Sequence, residues 1–461
     1  MNILGYSFAC FGVSYYFCII IKQMYSELMN ILTKALGFDS AKASVRTEVV
    51  AGATTFLTMS YILAVNPAIL ATTGMDKGAL FTATALAAAI STLLLAFMAK
   101  LPFAQAPSMG LNAFFAFTMC QAMHLSWQQS LAALLVEGVV FILITFMNVR
   151  EKILDSIPRN LRYSISAGIG MFIAFIGLKN AGIVVANPDT FVALGNFTPE
   201  AILGIVAIVL SGVLTARRVK GALFIAIIIA TLVGLPMGVT VMPDGWLPVS
   251  EPHSVAPIFC QFDFDGFFNI NMLVVIFSLL IINIFDTVGT LVGLAEKTGV
   301  VRPDGSIPRV KEAMLSDAIG TTCGAMLGSS TVTTYIESAS GIAEGGRTGL
   351  TSLVTGFLFI AALLLSPLFL LIPSAATSGA LVMVGVLMID SVKKIELNDV
   401  TEAFPSFITM ITMVLCYSIA DGICLGILSY VVMKVCTGKF KNISVTLVIL
   451  SLLFILKFVV G

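Results

Sequence analysis

Leu101-Pro102-Phe103-Ala104-Gln105-Ala106-Pro107-Ser108-Met109-Gly110-Leu111-Asn112-Ala113-Phe114-Phe115 is apolar enough to enter a membrane, yet two prolines and a glycine keep a helix from starting before about Leu111. A second stretch behaves alike: Gly328-Ser329-Ser330-Thr331-Val332-Thr333-Thr334-Tyr335-Ile336-Glu337-Ser338-Ala339-Ser340-Gly341. Its β-branched and aromatic run favours a short extended segment, and Glu337 suits the first turn of a following helix, where free N–H groups favour negative charge. Each stretch reads as half extended and half helical. Extended backbone at membrane depth is tolerated only inside protein or against a cavity, so these two breaks mark a site. Two opposed half-helix N-termini would aim backbone donors at it.

Composition supports the membrane reading. The chain has 461 residues, 58% hydrophobic and 11% charged, with 25 basic and 25 acidic groups and a mean hydropathy of +1.03. A soluble domain is usually about 25% charged, which excludes a water-soluble enzyme. Disorder needs low hydrophobicity and high net charge. Zero net charge argues against nucleic acid as a partner. A polytopic all-α membrane protein remains, embedded in the lipid bilayer.

Apolar runs bounded by charges and Gly/Pro breaks give fourteen spans: 48–71, 79–99, 103–121, 130–149, 157–178, 199–216, 220–238, 271–294, 312–327, 331–347, 350–371, 377–391, 403–420 and 422–436. A further apolar run, 441–460, is an extra helix or a surface-lying one. With residues 30–47 in the cytoplasm, nearly all lysines and arginines fall on the inner side and only Lys77 and Lys179 on the outer, apart from Lys22 and Lys457 in the tails. That is the positive-inside bias. The long loop 239–270 carries Asp244, Glu251, Asp263 and Asp265 but no Lys or Arg, as an outer loop should. Fourteen spans divide into seven plus seven, and an odd number per half turns the second half upside down. The broken spans are then the third and the tenth, which correspond.

Carboxyl groups at membrane depth are functional candidates. Asp286 lies mid-way through span eight and Glu337 at the break in span ten; Asp317, near the start of span nine, either braces the core or takes part in function. Glu137 and Asp421 read as structural, and His124 and His253 fall in outer loops. The eight cysteines form no C-x-x-C pair and read as packing residues, with no metal site and no cofactor. Val65-Asn66-Pro67-Ala68 carries the water-channel tripeptide without a second copy. Gly341 to Gly349 is glycine-rich like a phosphate loop but lacks its Lys-Ser/Thr ending, so it reads as an inner turn. Met29-Asn30-Ile31-Leu32 repeats Met1-Asn2-Ile3-Leu4, and residues 1–28 read as an upstream extension.

Phe285-Asp286-Thr287-Val288-Gly289-Thr290-Leu291-Val292-Gly293, Thr333 through Gly341, Gly52 through Met59 with Val65-Asn66-Pro67, Met109 through Phe115, and Gly345-Gly346-Arg347-Thr348-Gly349 together resemble the AzgA-like purine permeases of the nucleobase:cation symporter-2 group, and most of all bacterial guanine/hypoxanthine permeases. The resemblance runs from about residue 30 to 440. It implies a cell-membrane importer of purine bases, driven by the proton gradient. A core domain (48–149 and 271–371) would move against a gate domain (157–238 and 377–436) that often forms a dimer surface. It also implies that Asp286 and Glu337 are the binding acids of spans eight and ten and that Asn112 is the asparagine of span three. Met109-Gly110-Leu111-Asn112 stands where the xanthine and uracil branch has a Gln-His pair. The expected substrate-binding set is Glu337, Asp286, Asn112, Thr334 and Gly110, and the expected proton-coupling set is Asp286, Glu337 and Asp317. The roles of Asp286 and Glu337 are interchangeable at this stage. Transporters of the same fold for adenine, xanthine, uracil or an anion are the alternatives, and more remotely a channel or an intramembrane enzyme.

Overall fold

The structure, a computed structural model, describes residues 33–38, 43–146, 158–243, 246–265, 267, 269–298, 308–440 and most positions from 443 to 455. The expected extension 1–28 lies outside them. α1 (Val45–Met59) begins at Ser44, whose hydroxyl oxygen accepts from the Thr47 N–H, and Ser60 and Tyr61 separate it from α2 (Ile62–Leu70). α3 (Lys77–Met98) is capped by Asp76, which accepts from the Ala79 N–H at 2.7 Å. After β1 (Gln105–Pro107) come α4 (Met109–Ala113), its continuation as a π-helix over Phe114–Ala122, and α5 (Trp127–Phe146). α6 (Arg159–Asn180) leads through the hairpin β2 (Val184–Asn187) and β3 (Phe191–Leu194) to α7 (Pro199–Ala216) and α8 (Ala222–Gly234).

Short 3-10 turns aside, the later elements are α9 (Ile270–Thr298), α10 (Val310–Leu327), β4 (Val332–Thr334), α11 (Ser338–Ala343), α12 (Gly349–Ala361), α13 (Ser366–Leu370), α14 (Ser374–Met388), α15 (Val400–Leu415) and α16 (Ile419–Cys436). Among the described residues, eight helical runs are long and apolar enough to cross a membrane.

β1 and β4 decide the centre of the molecule. They pair antiparallel, Gln105 opposite Thr334 and Pro107 opposite Val332. The ladder is extended by Ser108 N–H donating to Thr331 O and by Tyr335 N–H donating to Ala104 O, both at 2.9 Å. All six strand residues are buried. Prolines at 102 and 107 hold their predecessors extended, and Val332-Thr333-Thr334 supplies the β-branched partner. Each broken span thereby satisfies the backbone groups that the other exposes.

Two features depart from expectation. The helix after β1 starts at Met109, two residues earlier than the prolines and Gly110 suggest. Gly110 is tolerated there because a Cβ would meet Ile169 Cγ2 of α6 at 2.9 Å, so its lack of a side chain lets α4 approach α6. The β2–β3 hairpin has no counterpart in the span pattern. Its turn is set by Asn187, whose side-chain oxygen accepts from the Asp189 and Thr190 N–H groups.

Packing divides the helices into two groups. α1, α3, α5, α9, α10, α11 and α12 pack on one another around the paired strands, while α6, α7, α8, α14, α15 and α16 pack among themselves, with sparser contacts between the groups. Within 441–460, the described residues from Leu447 on are helical, and Leu447, Leu450 and Phe454 are buried on one face. Phe454 meets Phe277 of α9.

Candidate functional site

Two half-buried carboxyl groups meet the break where β1 and β4 end. Asp286, on α9, accepts from the Ser108 hydroxyl at 2.9 Å through Oδ2. Glu337 accepts from the Tyr61 hydroxyl at 2.7 Å through Oε1. Ser108 and Glu337 occupy the N-cap positions of α4 and α11, yet neither side chain caps its own helix. Both are turned sideways, Ser108 to Asp286 and Glu337 to Tyr61. Tyr335 donates its hydroxyl to the Pro107 carbonyl, which ties the two strands together beside the acids.

The two half-helices are not equivalent as donors. In α11 the Ser338, Ala339 and Ser340 N–H groups already donate to the Tyr335, Ile336 and Glu337 carbonyls at 3.2, 3.0 and 2.9 Å. A tight turn consumes the donors that opposed half-helices were expected to offer. In α4 the first intrahelical bond is Asn112 N–H to Ser108 O at 2.8 Å, so the N–H groups of Met109 to Leu111 precede the ladder.

Asp317 is fully buried on α10. It accepts from the Thr287 hydroxyl at 2.6 Å and from the Thr334 hydroxyl at 3.1 Å. Thr334 also accepts from Gln105 Nε2 at 3.3 Å, so its side chain belongs to this inner network. Asn112 is likewise fully buried, and its Oδ1 accepts from Ser330. It joins the third span to the loop before β4. Gly110 lies where α4 meets α6. Of the residues singled out from sequence, the structure sets Asp286 and Glu337 at the break, Thr334 and Asp317 in the polar layer behind it, and Asn112 and Gly110 at the two sides of α4.

Sequence reasoning passed over Tyr61, Ser108 and Glu48. A hydroxyl in an apolar run carries no signal until its partner is known. Glu48 is fully buried in the first turn of α1. It accepts from the Arg347, Thr348 and Thr351 N–H groups at 3.0, 3.4 and 3.2 Å and from the Thr351 hydroxyl, capping α12 from another helix. The Arg347 guanidinium donates to the Ile342 and Gly346 carbonyls, both at 2.7 Å. Gly345-Gly346-Arg347-Thr348-Gly349 is therefore a structural turn.

The model of the Permease family matches residues 46–425. The chain belongs to this family, the nucleobase:cation symporter-2 permeases. It is similar to the adenine permease AdeP of Escherichia coli, 45% identical over 415 residues, covering 90% of this chain and 93% of AdeP. It is similar to the guanine/hypoxanthine permease PbuG of Bacillus subtilis, 40% identical over 434 residues, covering 92% of this chain and 98% of PbuG. Among solved structures, the transmembrane domain of the cyanobacterial bicarbonate transporter BicA superposes with a TM-score of 0.62 at 15% identity, covering 84% of this chain and 99% of that domain. That last likeness shows the fold alone. Membership makes this nucleobase permease a multi-pass membrane transporter and not an enzyme.

Proposed function

We propose that this permease imports purine nucleobases together with protons, binding the base between Asp286 and Glu337. The reading is carried by one observation: two carboxyl groups stand at the junction of two broken spans, each held by side-chain hydroxyls, Glu337 by Tyr61 and Asp286 by Ser108 and Thr333. An anion carrier would place a basic or neutral group there. The relatives AdeP and PbuG, by name, carry purine bases. Fourteen spans in two inverted sevens, with the group around the strands moving against the other, fit the two packing groups. A dimer through the second group is part of the same reading. Asn112 holds the half-helix α4 in register and Gly110 lets it approach α6, so both act on the site through α4.

Guanine presents N1–H and its 2-amino group side by side, and hypoxanthine N1–H alone. An ionised Glu337, acceptor-only, matches that edge. The second reading, adenine, is favoured by the greater identity to AdeP. Adenine presents an acceptor at N1 beside its 6-amino donor. That edge matches a protonated carboxyl, which both donates and accepts. The two readings therefore differ in the protonation state that Glu337 needs. Asp286 and Asp317 carry the coupled proton in either case.

The test is uptake of radiolabelled hypoxanthine and adenine in cells lacking their own purine permeases, with and without a protonophore. Uptake that is saturable, protonophore-sensitive and blocked by guanine supports the first reading. Adenine uptake resistant to guanine supports the second. Failure of both bases in correctly inserted protein overturns the purine assignment.

A further inference from the structure

Behind the site lies a second acid that the proposed function leaves unused. Glu137 is the eleventh of the twenty residues of α5, fully buried at mid-length. Its Oε1 accepts from Asn283 Nδ2 at 2.9 Å. Its Oε2 is buried and has no hydrogen-bond partner among the described residues. From Asn283 the chain of contacts continues one turn along α9 to Thr287, 3.5 Å from Asn283 Oδ1, and from Thr287 to Asp317 at 2.6 Å. Thr287 adjoins Asp286 in sequence, and Thr334 joins Asp317 to β4, three residues before Glu337.

The charge environment is one-sided. α5 packs against α9, α10 and the π-helical segment. Asp286 on α9 and Asp317 on α10 are the acids at this depth. Cys323 on α10 follows Thr322, which lies against Gly138, and Cys120 of the π segment sits at Ser130, two turns outward. Lys311 and Glu312 stand a turn or more inward, in the first turn of α10. An ionised Glu137 would keep one neutral donor, Asn283, at a depth where an isolated carboxylate is costly. The protonated form escapes that cost, and its O–H can serve Asn283 Oδ1 once the amide turns over. Asn283 and Thr287 can both reverse donor and acceptor roles, so a change at either acid is felt at the other.

We propose that Glu137 and Asp317 form a second carboxyl pair that holds and releases a transported proton, linked by Asn283 and Thr287 and lying outside the purine site. The proton reaches the pair from the half-buried side of Asp286. One carboxylate becomes a carboxylic acid on loading, and the same O–H bond breaks on release. This inference rests on the proton-coupled reading above.

The experiment compares wild type with Glu137→Gln, which mimics a carboxyl that never loses its proton. Two readouts are taken on purified protein. The first counts protons bound by the detergent-solubilised protein on acidification across the neutral range, with no purine present. The second, in proteoliposomes, sets purine counterflow against accumulation driven by an imposed pH gradient. Glu137→Gln should bind one proton fewer than wild type, and should retain counterflow while losing at least tenfold in gradient-driven accumulation. Thr287→Val, which removes the linking hydroxyl at constant volume, should show the same split and serves if Glu137→Gln does not insert. An unchanged proton count with wild-type accumulation means a permanently protonated structural acid and overturns the proposal. If wild type itself moves no purine, the functional reading falls, and the proton count still decides whether Glu137 titrates.

Discussion

Tyr61 and Ser108 set the terms on which Glu337 and Asp286 meet a ligand. A substrate must share Glu337 with the Tyr61 hydroxyl 2.7 Å away, which fixes the carboxyl plane before binding. Hydrogen bonds to a charged group are worth about 1.5–3 kcal/mol. Tyr61→Phe is therefore expected to weaken purine competition for uptake about tenfold or more, with protein levels in the membrane unchanged. Equal inhibition constants in variant and wild type would remove Tyr61 from the site. At this scale the sequence was legible for the two acids within spans eight and ten and silent for Tyr61 and Ser108, the hydroxyls that hold them. Asp286 and Glu337 stand out because an acid within an apolar run is costly wherever it points. Ser108 and Tyr61 are ordinary residues for a membrane helix, and only the fold, which brings 108 to 286 and 61 to 337, gives them a role.

The elements repeat this pattern. Prolines 102 and 107 and the β-branched run 331–334 announce extended segments, because their backbone preferences are local. The π-helical form of Phe114–Ala122 is not local, since a π turn is held by packing and not by composition. The cap of α12 was also hidden: its acceptor, Glu48, is about 300 residues away in sequence. Glu48→Ala would leave the Arg347, Thr348 and Thr351 N–H groups without that acceptor. A loss of about 2–3 kcal/mol is expected, read as a lower unfolding midpoint in detergent. Glu48→Gln, which keeps one acceptor oxygen, should lose less. If the alanine variant unfolds at the wild-type midpoint, the cap contributes nothing to stability.

At the scale of the whole molecule, ion pairs divide by burial. Lys434 is 1% exposed. It donates to Glu402 at 2.6 Å and to the Thr401 hydroxyl at 2.7 Å, and Asn160 holds the other Glu402 oxygen at 2.8 Å. This pins α6, α15 and α16 to one another. Lys434→Met leaves Glu402, 13% exposed, with Asn160 still donating to it and should cost about 2–3 kcal/mol, whereas Lys434→Met with Glu402→Leu should recover much of it. Simple additivity of the two changes in thermal unfolding would contradict the pairing. Lys220 and Glu344 behave differently. They join the α7–α8 turn to the α11–α12 turn, across the two packing groups, with side chains 60% and 25% exposed. Such a pair is worth about 0–1 kcal/mol and is screened by salt, so it would suit a contact that the proposed movement of one group against the other breaks and remakes. Lys220→Glu is expected to change the maximal uptake rate by a fewfold at low salt, and the swap Lys220→Glu with Glu344→Lys to restore it. No rescue by the swap would mean that the charges do not act as a pair. The grouping of helices could not be read from sequence periodicity, because lipid-facing and protein-facing sides of a membrane helix are equally apolar.

The pairing of β1 with β4 has a consequence for how the protein is made. Gln105 waits for a partner 229 residues downstream, and at about 5–20 residues per second the ribosome needs of order 10–45 s to deliver it. Through that interval a nascent chain already threaded into the bilayer carries a strand edge whose backbone groups have no partner from this protein. Lipid cannot satisfy them. A stalled or truncated product ending before Val332 should therefore stay bound to the insertion machinery or be cleared by membrane proteases, and release should coincide with the arrival of the second broken span.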